Sequence, residues 1–291
     1  MEDMNMKRFL FLACSLVSVV AVAAVSPDVA KAHKQSATIQ HTQTVANHKP
    51  AAETSRLTAE QIVDRNVAAR GGLKAWRAVK TLVLSGQMEA GGKKNADLPY
   101  VMKMERPRMS RLEIRFQDQT AVQVYDGEHG WKVRPFLGRN EVEPFTPDEA
   151  KAAGAWTELD GPLVDYARKG SKVALVGMEA VEGHQAYKLK VTMKNGAERH
   201  VWVDAATFLE RKIDGDPRKM DGRLRNVAVY YRDYKAEKGL TMPHVLESVV
   251  EGSRQSHKLY IKQVMVNQPI ENKLFAKPQL AMGSSSGGRA D

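Results

Sequence analysis

FQDQTAVQVYDGEHGWKVRPFL, residues 116–137, reads as strand, tight turn, strand. Val122 and Val124 alternate with Gln123 and Tyr125, the period of two that a half-buried strand shows. Asp126-Gly127 opens the turn, and Gly130 tolerates a positive φ near its end. Trp131 and Val133 then alternate with Lys132 and Arg134. Register decides which side chains share a face. A four-residue loop, residues 126–129, puts Val122, Val124, Trp131 and Val133 together and Gln123, Tyr125, Lys132 and Arg134 opposite. A five-residue loop would mix the two sets, so the pattern selects four. The hairpin then has one dry face that something must cover.

Outward from this hairpin, strands dominate. Residues 81–89 alternate, with Leu82, Leu84 and Met88 against Val83, Ser85 and Gln87. Residues 98–105 read as the partner strand, broken by Arg106-Pro107. In residues 110–116, Leu112, Ile114 and Phe116 point one way and Arg111, Glu113 and Arg115 the other, as in an antiparallel sheet covered on one side. Further strands are expected at 172–177, 186–193, 197–204, 208–213, 223–234, 240–250 and 258–266. Around Asn195-Gly196 a three-residue loop, Lys194-Asn195-Gly196, aligns Tyr187, Leu189 and Val191 with Val201 and Val203, with Gly196 left-handed. Phe275 pins the last segment.

Two helical regions interrupt this pattern. Thr58 and Gln61 form a capping box ahead of an apolar stripe of Ala59, Ile62, Val63 and Val67. Gly71-Gly72 closes that helix, and a short turn follows that buries Trp76. Residues 141–169 break the strand pattern. Pro147 marks a helix start, and Asp160-Gly161-Pro162 opens a second short helix over 163–168. Trp156, Leu159, Leu163 and Tyr166 form the apolar payload of an amphipathic lid lying across the sheet.

The chain has 291 residues, 43% hydrophobic and 27% charged, an ordinary globular composition. Its net charge of +10 suits an acidic partner, but basic and acidic residues are interspersed and form no nucleic-acid motif. Lys7 and Arg8 precede an apolar run and an Ala21-Val22-Ala23 cleavage signal, so residues 1–24 read as a signal peptide. Cys14, the only cysteine, lies within it. The exported chain would have no disulfide and no thiol chemistry. Residues 25–55 are polar and aperiodic, a disordered spacer; 56–280 form the folded domain; 281–291 are a Ser/Gly tail.

No nucleophile elbow, zinc-protease helix, phosphate loop or dinucleotide fingerprint occurs. His129, His184, His200, His244 and His257 fall at unrelated spacings, and the carboxylates around Asp214, Asp216 and Asp221 miss the calcium-loop pattern. The reading is therefore of a binding protein with no catalytic residues, no metal and no cofactor. Met88, Met102, Met104 and Met109 suit a surface that repacks around variable apolar guests.

In order and pattern, the segments AEQIVDRNVAARGGLKAWRAVKTLVLSGQM, MKMERPRMSRLEIRFQDQTAVQVYDGEHGWKVRPF, LDGPLVDYARKGSKVALVGMEAVEGHQAYKLKVTMKNG and VWVDAATFLERKI resemble the LolA/LolB-like superfamily. The likeness is to its outer-membrane lipoprotein-sorting members, related to RseB-type sensors, and it covers residues 57–278. It implies a mostly β, α+β fold: a curved, unclosed antiparallel barrel with an N-terminal helix and a mid-sheet helical lid. It also implies a periplasmic protein that holds acyl chains of lipids or lipoproteins, as a carrier or chaperone. The concave face expected to hold them is Leu82, Leu84, Met88, Met102, Met104, Leu112, Ile114 and Phe116, continued by Val122, Val124, Trp131 and Val133. The alternative is an envelope-stress sensor or protein–protein module of the same fold without lipid cargo.

Overall fold

The computed structural model describes residues 57–90, 96–147, 149–150, 153, 158–220, 222–253 and 256–279. The expected leader, spacer and tail, and the lid residue Trp156, lie outside the described residues.

Helix α1 (Ala59–Ala69) begins at the capping box: Gln61 N–H donates to Thr58 Oγ1 at 3.2 Å, and Thr58 N–H to Gln61 Oε1 at 2.9 Å. Ile62, Val63 and Val67 form its buried stripe. Helix α2 (Leu73–Ala78) follows and buries Trp76 completely.

Thirteen strands among the described residues make one antiparallel sheet. They are β1 (Thr81–Ala90), β2 (Ala96–Glu105), β3 (Met109–Phe116), β4 (Gln119–Tyr125), β5 (Gly130–Arg134), β6 (Arg139–Pro144), β7 (Lys172–Val181), β8 (His184–Thr192), β9 (Glu198–Asp204), β10 (Glu210–Met220), β11 (Arg223–Glu237), β12 (Leu240–Val250) and β13 (Ser256–Val266). The order is β6-β5-β4-β3-β2-β1-β13-β12-β11-β10-β9-β8-β7. β6 and β7 are thus the free edges, and the sheet is an unclosed barrel. Strand β6 lies where the sequence pattern indicated no strand; its charged residues and terminal Pro144 suit an edge. β10 runs on to Met220, beyond the strand expected over 208–213.

Two hairpins have the register that the sequence pattern selects. Tyr125 pairs with Gly130 and Val124 with Trp131, leaving the four-residue loop 126–129. Its positive φ falls at Gly127, at 106°, rather than at Gly130. Gly130 lacks a Cβ for another reason: the ring of Phe145 occupies that space. Leu189 pairs with Val201, Met193 N–H donates to Ala197 C=O, and Gly196 has φ 81°.

The hairpin β3–β4 corrects the expected concave face. Phe116 pairs with Gln119 across a two-residue turn, so Leu112 faces Gln123 and Ile114 faces Ala121. Direct partners share a face. Val122, Val124, Trp131 and Val133 therefore lie on the side opposite Leu112, Ile114 and Phe116, together with Arg111 and Glu113. That second face has its own cover. The 3-10 turn Asn272–Phe275 lies against β3, Arg111 Nη1 donates to Leu274 C=O at 3.0 Å, and Phe275 is fully buried.

Candidate ligand-binding cavity

The pairings Leu82–Met104, Leu84–Met102 and Met102–Leu112 put these side chains on one face, with Met88, Ile114 and Phe116. Met109 lies on the other. The face continues through Val264, Ile261 and Leu259 of β13 to Leu246 of β12, Ile213 of β10 and Val201 of β9. A cavity of about 710 Å³ is lined by residues from β1 and β2 and also from β9 and β10. These strands are far apart in the sheet order, so the sheet curls round and this face is concave. The volume falls within the roughly 300–1,000 Å³ usual for small-molecule sites.

Three parts of the concave face differ. Over β8 and β9, α1 and Trp76 pack into a core with Leu189, Val191, Val201 and Val203. Over the β1–β4 end, Met88, Leu98, Tyr100, Leu112, Ile114 and Ala121 close around Phe136, whose ring meets Phe116 edge-on at 5.8 Å. Between them lies the cavity, with Leu82, Leu84, Met104, Ile213, Leu246 and Ile261 among its apolar lining. Of the expected concave residues, Leu82, Leu84 and Met104 line it. Met88, Met102, Leu112, Ile114 and Phe116 share its face but belong to the self-filled end.

The described part of the segment between β6 and β7 forms a strap over the cavity, with Ala150, Glu158, Leu159, Gly161, Pro162 and Lys169 in its lining. Pro147, Glu149, Ala150 and Ala153 are helical, with Thr146 and Glu149 bonded as a capping box. Glu149 pairs with Lys132 of β5 at 2.5 Å, both buried. The expected helix over 163–168 is instead a run of turns. Asp165 sits at φ 56°, which a right-handed helix cannot contain, and pairs with Arg77 of α2 at 2.6 Å. That contact holds the Asp165 carboxyl below its usual range. Leu159 lines the cavity, Leu163 is fully buried in the α1 core, and Tyr166 packs against that core.

Asp160 holds this strap in place. Its side chain is 4% exposed and accepts from Arg106 Nη2 at 2.7 Å and Lys169 Nζ at 2.6 Å. Its carbonyl accepts from Arg70 Nη1 at 2.9 Å. Arg70, at the end of α1, also pairs with Glu210 at 3.0 Å and stacks over Trp76 at 4.4 Å. Tyr234 donates to Glu210 C=O at 2.9 Å, and burial pushes the Tyr231 and Tyr234 phenols up, keeping both neutral. None of these polar residues was singled out from sequence. Asp160 read only as a helix opener, and Arg70 left no signal, since their partners are distant in the chain.

The histidines and acids considered as ligands are dispersed. His200 Nδ1 meets Asp214 at 2.8 Å, Asp216 pairs with Arg199 at 2.5 Å, and Asp221 lies outside the described residues. Among the described residues no group of three or more His, Cys, Asp or Glu side chains could hold a metal ion, and no helix is long and apolar enough to cross a membrane.

No family profile and no curated protein matches the sequence. Solved structures do match the fold. A LolA superfamily protein from Nitrosomonas europaea has a TM-score of 0.50 at 14% identity, over 76% of this chain and 99% of that one. A DUF1329 family protein from Desulfovibrio piger has a TM-score of 0.51 at 13% identity, over 75% and 97%. The chain is an open antiparallel half-barrel with an N-terminal helix and a strap over its cavity. Its fold is LolA/LolB-like.

Proposed function

We propose that this protein is an exported, periplasmic binding protein that holds acyl chains of lipids or lipoproteins in the cavity under the strap. The carrying observation is the cavity's apolar floor, enclosed by the curved run of strands from β2 through β1, β13, β12, β11 and β10 to β9. Each CH₂ moved from water onto such a wall contributes about 0.8 kcal/mol, so a chain binds without a specific polar contact. The likeness to a LolA superfamily protein supports the reading at the level of fold, and the basic, then apolar leader supports export. The dry face of the β4–β5 hairpin takes no part, because it lies on the convex side. The site works by binding, and no catalytic step is assigned to it.

Mass spectrometry of lipid extracts from purified protein, with uptake of a fluorescent fatty acid by delipidated protein, tests this. Bound lipid and saturable uptake are expected. Protein that carries no lipid and takes up none would overturn the reading. It would favour an interaction module, a role that suits the end of the concave face already filled by Phe136.

A further inference from the structure

The cavity combines an apolar floor with an excess of basic residues in its lining. Five cationic residues line it, Arg70, Arg108, Lys169, Lys194 and Arg199, against two acids, Glu158 and Glu210. Both acids are engaged. Glu210 holds Arg70 and Tyr234. Glu158 meets Lys169 at 2.9 Å and Arg108 at 3.8 Å. Lys169 is bound further to Asp160 and to Gly161 C=O, and Arg199 to Asp216.

Two cations then stand with charge to spare. The Arg108 side chain is 54% exposed, and among the described residues its acid contact is that long one to Glu158, which it shares with Lys169. Lys194 is exposed and meets no carboxylate among the described residues. Its stem lies against Gly170, where a Cβ would come within 3.3 Å of three of its carbons. They belong to different tips, Arg108 to the β2–β3 turn and Lys194 to the β8–β9 turn, and the strap passes between them. The lining therefore carries positive charge from both turns, beside an apolar floor.

We propose that the guest is an amphiphile with an anionic head group, a carboxylate or a phosphate, received at the mouth by Arg108 and Lys194 while its chain lies below. This rests on reading the cavity as an acyl site. A neutral head would leave Lys194 to water and Arg108 to its long contact with Glu158. An anionic one forms charge-assisted hydrogen bonds with them. The attraction weakens as salt screens it.

Displacement of a fluorescent fatty acid from the full chain tests the proposal, using palmitate, hexadecyl phosphate and hexadecanol as competitors. Palmitate or hexadecyl phosphate should compete about tenfold better than hexadecanol at low salt. Lys194→Glu and Arg108→Gln should shrink that gap by weakening palmitate, hexadecyl phosphate and the fatty-acid probe itself, with the circular dichroism spectrum intact. Which anion competes better separates a fatty acid from a phospholipid as the source. Equal competition by all three would overturn the head-group proposal and leave the acyl reading standing. So would a gap that neither substitution moves. Failure of every competitor, and of the probe itself, would overturn the acyl reading too.

Discussion

Two buried groups set how this protein responds to acid. Asp204 accepts from Ala206 and Thr207 N–H groups at 2.9 and 2.8 Å and from Arg211 Nε at 2.6 Å, with His184 3.7 Å away. Burial raises its pKa, but the Thr207 amide and Arg211 outweigh that, and together with the other donors they bring it down to about 2. A depressed carboxylate contributes stability above its unfolded value and loses it as pH falls through the folded one. Here the loss runs from about pH 4 to about pH 2 and amounts to about 2 kcal/mol. Asp204→Asn should remove that part of the acid-unfolding curve. His257 is 2% exposed, pairs across the sheet with Ser248, and has its pKa lowered to about 4 by burial and then by Arg218. It must stay neutral, so its contribution is complete above about pH 6.5 and fades as pH falls toward 4. His257→Leu should flatten the slope in that window, measured by urea denaturation at successive pH values.

Among the elements, the strap and the β1 bulge are the vulnerable pieces. Asp160 joins the strap to the β2–β3 turn and to α1, and removing it leaves Arg106 and Lys169 without their shared carboxylate. Asp160→Ala should cost about 3 kcal/mol, the scale for breaking one side of a buried ion pair. Limited proteolysis should then cut residues 158–170 faster than in the parent. In β1, the register with β13 shifts between Ser85 and Gly86, and the Tyr260 carbonyl occupies the place where a Cβ at Gly86 would stand. Gly86→Val should destabilise by about 1–3 kcal/mol or more, the range for forcing extra atoms into packed structure. A surface Ser85→Thr change should cost far less, so comparing their denaturation midpoints isolates the clash.

At the scale of the molecule, the sheet curls so that β2 and β9, six places apart in its order, line one cavity. Thirteen strands at ~4.8 Å spacing would span roughly 60 Å. Curling brings the arms together and leaves a hollow that three devices partly fill: α1 with Trp76, Phe136 from beyond β5, and the strap. The remaining space is the cavity. Met104→Trp, projecting from β2 into that space, should abolish fatty-acid uptake while shifting the melting temperature by only a few degrees, since the hollow has room for the ring. Unchanged uptake in this variant would place the guest elsewhere.

The chain order itself determined the strands other than β6 and the far half of β10, α1 with its capping box, and the β4–β5 and β8–β9 registers. Each depends on residues within a few positions: alternation in two strands plus the loop that joins them. The β3–β4 turn shows how narrow that margin is, since its two residues reverse the parity that would have put Val122 and Val124 beside Leu112. Only the tertiary structure decided which face is concave, which part of it Phe136 fills, and that Arg70, Arg106 and Asp160 meet. Those outcomes come from curvature summed over thirteen strands and from pairs more than fifty residues apart. Such effects bring side chains together without leaving a periodic trace in the chain.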